Sequence, residues 1–170
     1  MKLTLLTPWI TILLLSLGGC NRQFVVTVND QSLYDPRVPA GVLQLNDPDL
    51  QGCVNIALVQ QNIVDSATLG VLSCAYANVT DLRGIEQFQN LRFLDLAGNN
   101  IADLQPLSFL PQLSGLSIPD NPLDDISPLF EMDSLTAVIL SGNVRLSCAQ
   151  LDLLEQRLGE NLTRPDSCEN

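Results

Sequence analysis

The strongest constraint on this chain is an internal repeat, because the stretch from Leu69 to Gln156 divides into four consecutive windows of 22 residues. The windows begin at Leu69, Leu91, Leu113 and Leu135. Their fourth places hold Leu72, Leu94, Leu116 and Val138, and their sixth hold Cys74, Leu96, Ile118 and Leu140. The eleventh places are Val79, Ile101, Leu123 and Arg145, and the fourteenth are Leu82, Leu104, Ile126 and Cys148. The seventeenth are Ile85, Leu107, Leu129 and Leu151, and the twentieth are Phe88, Leu110, Met132 and Leu154. Only Arg145 breaks these columns, whereas a chain that is 46% hydrophobic would fill fewer than half of the places by chance. So short a unit cannot bury an apolar face alone. Stacked copies can, with alternation around the fourth and sixth places making a short strand in each.

The clearest copy, Leu91-x-x-Leu94-x-Leu96-x-x-Asn99, resembles the leucine-rich repeat, and the window length resembles the internalin type. The resemblance implies an α/β solenoid: a short right-handed superhelix with a parallel β-sheet on its concave face and helical amino- and carboxy-terminal caps. It also implies a module that binds protein. The polar columns fit this geometry. The ninth places, Ala77, Asn99, Asn121 and Asn143, put an inward amide in three copies, where it can bond free backbone groups of neighbouring coils. The thirteenth places, Asp81, Asp103, Asp125 and Ser147, can accept from the backbone amides that follow. Pro106 and Pro128 suit the first turn of a short helix on the convex side.

A solenoid exposes its core at both ends, so each end needs a cover. Asp47-Pro48 starts a helix with Leu50, Cys53, Val54, Ala57 and Leu58 on one face. At the other end Ser147 and Gln150 form a capping-box pattern ahead of a stripe of Leu151, Leu154 and Leu158. Cys74 takes an inward strand place beneath the first helix, which makes Cys53 its expected disulfide partner. Cys148, also expected inward, is joined by Cys168 returning from the tail. The divisions are therefore 1–19 as a leader, 20–46 as an amino-terminal tether, 47–68 as a cap, 69–156 as repeats and 157–170 as a carboxy-terminal tail. Within the tether Phe24–Val28 is strand-like and Asn29-Asp30 turn-like; whether it packs on the cap is open.

The leader holds Lys2, the only lysine, then an interrupted apolar run ending in Gly18-Gly19-Cys20, which reads as a secretory signal too short to span a membrane comfortably. Leu17-Gly18-Gly19-Cys20 resembles the lipobox of bacterial lipoproteins. By that resemblance Cys20 becomes the acylated first residue of the mature chain and lipid holds it at a membrane. Asn21 stands where an aspartate would resemble an inner-membrane retention signal, so outer-membrane sorting is expected in a Gram-negative source. The other four cysteines, an even number in an exported chain, point to two disulfides.

Beyond the leader, seven arginines face nineteen acids, a formal balance of −12 that repels phosphate backbones and argues against nucleic acid. With no histidine, the commonest general base and zinc ligand is missing, and no phosphate loop or nucleophile elbow replaces it. The acid pair Asp124-Asp125 falls where the repeat turns want polar residues. No enzyme, cofactor or metal is therefore expected. The remaining functional surface is the outward side of the strands. Val71, Phe93, Gly115 and Ala137 hold the third places and Ser73, Asp95, Ser117 and Ile139 the fifth, flanked by Tyr76, Arg92 and Asp120. The candidate protein-binding residues are Tyr76, Arg92, Phe93, Asp95, Ser117, Asp120 and Ile139. Phe93 and Ile139 stand out as apolar groups at solvent-facing places. Scattered surface apolars, or cover from the amino-terminal segment, would explain them as well, and more simply. Two rival roles stay open: a periplasmic inhibitor or immunity lipoprotein acting against a toxin or hydrolase, and a structural envelope component without a discrete ligand.

Overall fold

The computed structural model describes residues 44–168, together with the backbone of strands β1 (Val26–Val28) and β2 (Gln31–Tyr34), which pair antiparallel. The leader and Cys20 lie outside the described residues, as does the tether apart from β1, β2 and residues 44–46, of which Leu45 is buried in the core. The strand expected over Phe24–Val28 corresponds in its last three residues to β1.

The repeats build one parallel sheet. Strands β3 (Val71–Ser73), β4 (Phe93–Asp95), β5 (Gly115–Ser117) and β6 (Ala137–Ile139) each come from one window. Their register repeats without slippage, Val71 opposite Phe93, Phe93 opposite Gly115, and Gly115 opposite Ala137. Helix α1 (Pro48–Gln60) precedes the sheet and helix α2 (Cys148–Leu158) follows it. The chain then returns to add a strand that the sequence pattern does not reveal, β7 (Leu162–Thr163), parallel to β6. On the other side of the coils the chain forms short 3-10 helices, Ile85–Gln87, Gln105–Phe109 and Ser127–Glu131. Pro106 and Pro128 sit in the first turns of the latter two, where a missing N–H costs nothing.

Burial follows the repeat columns, with all of their apolar residues in the core except Cys148. Each buried leucine contributes about 1.5–3 kcal/mol relative to an exposed one, so the columns supply most of the driving force. The last window departs from the others. Arg145 is exposed and pairs with Asp124 at 2.6 Å, while Leu146, one place further on, turns into the core. Cys148 is exposed, against the expectation that it points inward. The reason is local: α2 starts at Cys148 itself, whereas in the other copies the 3-10 helix begins one to three places after the fourteenth, so the inward direction of that column is lost.

The turns after the strands depend on the ninth-place asparagines, which are buried. Asn99 Oδ1 accepts from the N–H groups of Ala77 and Val79 at 3.1 and 3.0 Å, and its Nδ2 donates to the carbonyls of Cys74 and Leu96 at 2.9 Å. Asn121 ties Ile101 and Leu96 in the same way, and Asn143 donates to Ile118 and Leu140. Each amide thereby serves its own coil and the one before it. Left unpaired, each such buried backbone group would cost about 1–3 kcal/mol. On the far side Asp81, Asp103 and Asp125 accept from the N–H groups of Arg83, Gln105 and Ser127, as their positions predict.

At the amino-terminal end α1 buries Leu50, Val54, Ala57 and Leu58, and Cys53 is bonded to Cys74 with their Cα atoms 5.7 Å apart. At the other end α2 buries Leu151, Leu154 and Leu158, and Cys148 is bonded to the buried Cys168, Cα atoms 5.4 Å apart. Each bridge closes a loop of about twenty residues, which chain entropy values at about 3 kcal/mol. The capping box expected at Ser147 and Gln150 does not form. Ser147 is the N-cap residue without a side-chain hydrogen bond, the Gln150 N–H going to its backbone carbonyl at 3.1 Å, and the Gln150 side chain reaches back a full coil to Asp125 at 2.7 Å. Two arginines hold this end instead: Arg157 donates to the carbonyls of Leu129 and Phe130, and Arg164 to Asp152 and Glu155.

Asp47 has a role beyond the N-cap expected of it. Its Oδ1 accepts from the N–H groups of Asp49 and Leu50 on α1, while its Oδ2 accepts from the Thr80 N–H and hydroxyl and the Asp81 N–H on the first coil. Burial pushes this carboxyl up, but the donors from Leu50, Thr80 and Asp81 outweigh it and hold the group below its ordinary value. In a simple N-cap asparagine replaces aspartate at little cost. Here Asp47→Asn must turn an NH2 donor toward one of two sets of donors, so at neutral pH it is expected to lose about 2 kcal/mol, read from urea unfolding. The native carboxyl being the stronger acid, its contribution is complete above the ordinary value of 3.8 and disappears as pH falls through the lowered one. The gap between the two proteins should therefore close in acid, and a gap independent of pH would contradict this account.

Candidate functional site

The solvent side of the sheet is a pair of rows. Leu72, Leu94, Leu116 and Val138 point into the core, so their neighbours on either side face outward. One row runs Val71, Phe93, Gly115, Ala137, and the other runs Ser73, Asp95, Ser117, Ile139, Thr163. Val71 is 51% exposed, Phe93 43% and Ile139 40%, and what sets them apart from more exposed apolar groups such as Val64, Phe109 and Val144 is their place together on one sheet face. The Phe93 ring leans across the neighbouring strand, where a Cβ on Gly115 would come within 2.8 Å of Cδ2. The glycine leaves room for the ring, which any larger residue at this place would meet.

The polar candidates divide by strand end. Asp95 accepts from the Ser73 hydroxyl at 3.0 Å and the Ala97 N–H at 3.2 Å, at the carboxy-terminal ends of the strands. Arg92 lies at the amino-terminal ends, its guanidinium beside Gly70 and without an acidic partner among the described residues. Ser117 is half-buried in the second row.

Tyr76 and Asp120 belong to a column that the apolar pattern hides. Both hold eighth places, with Gly98 and Gly142 in the intervening copies, and all four adopt positive φ, from 54 to 74°. The turn after each strand requires this conformation, which glycine adopts freely and other residues only at a cost. The side chains alternate with the glycines, Tyr76 lying over Gly98 and Asp120 over Gly142, so that a Cβ on either glycine would collide with the residue above it. The signal was available in the sequence as Tyr, Gly, Asp, Gly at a constant spacing.

A cavity of about 410 Å³ opens where α1 meets the turn Ala75–Ala77, lined in part by Asp49, Ile56, Gln60, Ser73 and Tyr76. It joins the sheet face through Ser73. No local pattern announces it, since its walls come from separate parts of the chain. The acid pair has other work: Asp124 is taken by Arg145, and Asp125 accepts from the Ser127 N–H, the Ser127 hydroxyl and Gln150. These bonds, the Ser127 N–H foremost, hold the Asp125 carboxyl below its ordinary value, the reverse of what a general acid requires. Among the described residues no group of three or more histidine, cysteine, aspartate or glutamate side chains comes together to hold a metal.

This architecture is shared with solved internalin structures from Listeria monocytogenes. An internalin C2 superposes with a TM-score of 0.55 and 28% identity, over 61% of this chain and 48% of that one. An internalin F superposes with a TM-score of 0.60 and 28% identity, over 72% of this chain and 37% of that one. The chain thus spans about half the length of the first and little more than a third of the second. No family model matches the sequence, and no curated protein does. The likeness identifies the fold as an internalin-type leucine-rich-repeat solenoid.

The eighth-place column yields a stability test. Gly98→Ala must accept positive φ and displace the Tyr76 ring, so it is expected to cost about 1–2 kcal/mol in urea unfolding. In the Tyr76→Ala background the steric part disappears, and the cost should fall to about 1 kcal/mol. Equal costs in both backgrounds would show that the ring does not occupy this place.

Proposed function

We propose that this chain is a protein-binding leucine-rich-repeat module of the bacterial cell envelope, held at a membrane by lipid on Cys20 and presenting its concave sheet to a partner. The observation that carries the reading is the pair of in-register outward rows, in which Val71 and Phe93 of one and Ile139 of the other remain exposed on a parallel sheet. Aromatic and aliphatic groups held without freedom to move lose little entropy on association, and such groups dominate protein interfaces. In this reading α1 and α2 cap a right-handed superhelix, and Tyr76, Arg92, Asp95, Ser117 and Asp120 surround the apolar groups as a polar rim. The solenoid carries out no reaction. Outer-membrane sorting follows from Asn21 where the source is Gram-negative.

Affinity capture tests both halves of the proposal. The full chain, tagged at its carboxy terminus, is expected to retain a stoichiometric partner from detergent-solubilised envelope. The Phe93→Ala, Asp95→Asn, Ile139→Ala triple variant should lose that partner at an unchanged melting temperature, and Cys20→Ser should move the protein out of the membrane fraction. Equal capture by the triple variant would place binding elsewhere, and membrane retention of Cys20→Ser would remove the lipid anchor.

A further inference from the structure

Charge is unevenly paired among the described residues. Arg83 is bound to Asp81, Arg145 to Asp124, and Arg164 to Asp152 and Glu155, Arg157 is spent on carbonyl groups, and Arg92, without an acidic partner, stands at the opposite, amino-terminal ends of the strands. Asp95 and Asp120 have no cationic partner among the described residues, and both stand at the carboxy-terminal ends of the strands. The eighth-place column runs along this same margin. Gly98 and Gly142 contribute no side chain to it, leaving a low ledge on which only Tyr76 and Asp120 stand up. Strands lie about 4.8 Å apart, so Tyr76 and Asp120, two coils apart, are about 10 Å apart, within the span of a few extended residues. Beyond Tyr76 the ledge runs into the cavity beside α1, whose walls include Asp49, Ile56 and Ser73 and no basic residue. Tyr76 is 75% exposed there, with its ring available to a cation.

We infer that the partner presents an extended cationic segment to this ledge, one basic side chain entering the cavity beside Asp49 and Tyr76 and others meeting Asp95 and Asp120. The inference rests on the protein-binding role proposed above and adds the chemistry of what is bound. An acidic segment would be repelled by the formal −11 of the whole chain as well as by the ledge itself. A neutral apolar segment would cover carboxylates without giving them partners, which costs binding energy. A cationic one gains from both long-range attraction and local pairing.

The probe is a short fluorescein-labelled peptide of alternating arginine and serine, with a twin in which citrulline, the same shape without the charge, replaces arginine. Binding to the full chain in uncharged detergent is read by fluorescence anisotropy at low and moderate salt. The citrulline twin should bind at least about tenfold more weakly, and the arginine peptide should lose about tenfold on Asp95→Asn/Asp120→Asn and weaken on Tyr76→Ala. The control Glu131→Gln/Asp133→Asn removes the same charge from the side carrying the 3-10 helices and should leave binding unchanged. Equal binding of the twin overturns the proposal, as does an equal loss in the control, which would mean attraction to net charge alone, or no binding of the arginine peptide. If the triple variant loses its captured partner while the peptide shows none of these effects, the concave protein-binding face stands and its cationic preference falls. If the triple variant keeps its partner, the face itself is wrong.

Discussion

A coil of this length cannot complete its own hydrogen bonding. After each strand the backbone turns through a left-handed residue and leaves N–H and C=O groups facing a core from which water is excluded, where they must find partners or destabilise the fold. The stacked asparagines meet that requirement, Asn99 binding Ala77, Val79 and Cys74 of the preceding coil and Leu96 of its own. The apolar columns supply the larger energy, but an apolar side chain could be satisfied by many arrangements. An amide bonded on both sides fixes how far apart two coils lie and in what register. The in-register sheet, and so the outward rows on it, depends on this bonding.

Periodicity made the solenoid legible because the same physical demand recurs in every copy. Leucine columns, asparagines, turn aspartates and the two prolines each answer a question asked again one window later, and all of these were readable from the chain. Legibility failed where the copies cease to be equivalent. Cys148 was placed inward by extrapolation from Leu82, Leu104 and Ile126, yet α2 begins there and turns it outward. The Ser147 capping box looked complete locally and lost Gln150 to an acceptor in another coil. Strand β7, with two residues, is too short to carry an alternation. Asp47 was readable as the start of a helix, but not as the acceptor of groups more than thirty residues away, as in its bond from Thr80.

The surface candidates divide in the same way. Phe93, Asp95, Ser117 and Ile139 followed from strand alternation and do face outward or partly outward. Tyr76 and Asp120 were identified as flanking residues, but their common place in the repeat, and the glycines beneath them, became clear only from the backbone angles. The cavity was invisible in the sequence because α1 and the turn Ala75–Ala77 meet only through folding, with the Cys53–Cys74 bridge tying them together. Helix α1 thus both covers the first coil and forms one wall of the recess at the end of the ledge.

The closing strand has a further consequence. A stack of parallel strands ends in an edge with unused hydrogen-bonding groups, and a second molecule could dock there as another coil would. At one end α1 lies against β3, with Gln61 donating from its side chain to the Val71 carbonyl. At the other, β7 offers only Leu162 and Thr163 before the chain turns back to bury Cys168 against α2. A two-residue template gives an incoming strand almost nothing to pair with. The tail that completes the sheet is thus also its chain terminator, keeping a structure built by repetition from continuing into a fibre.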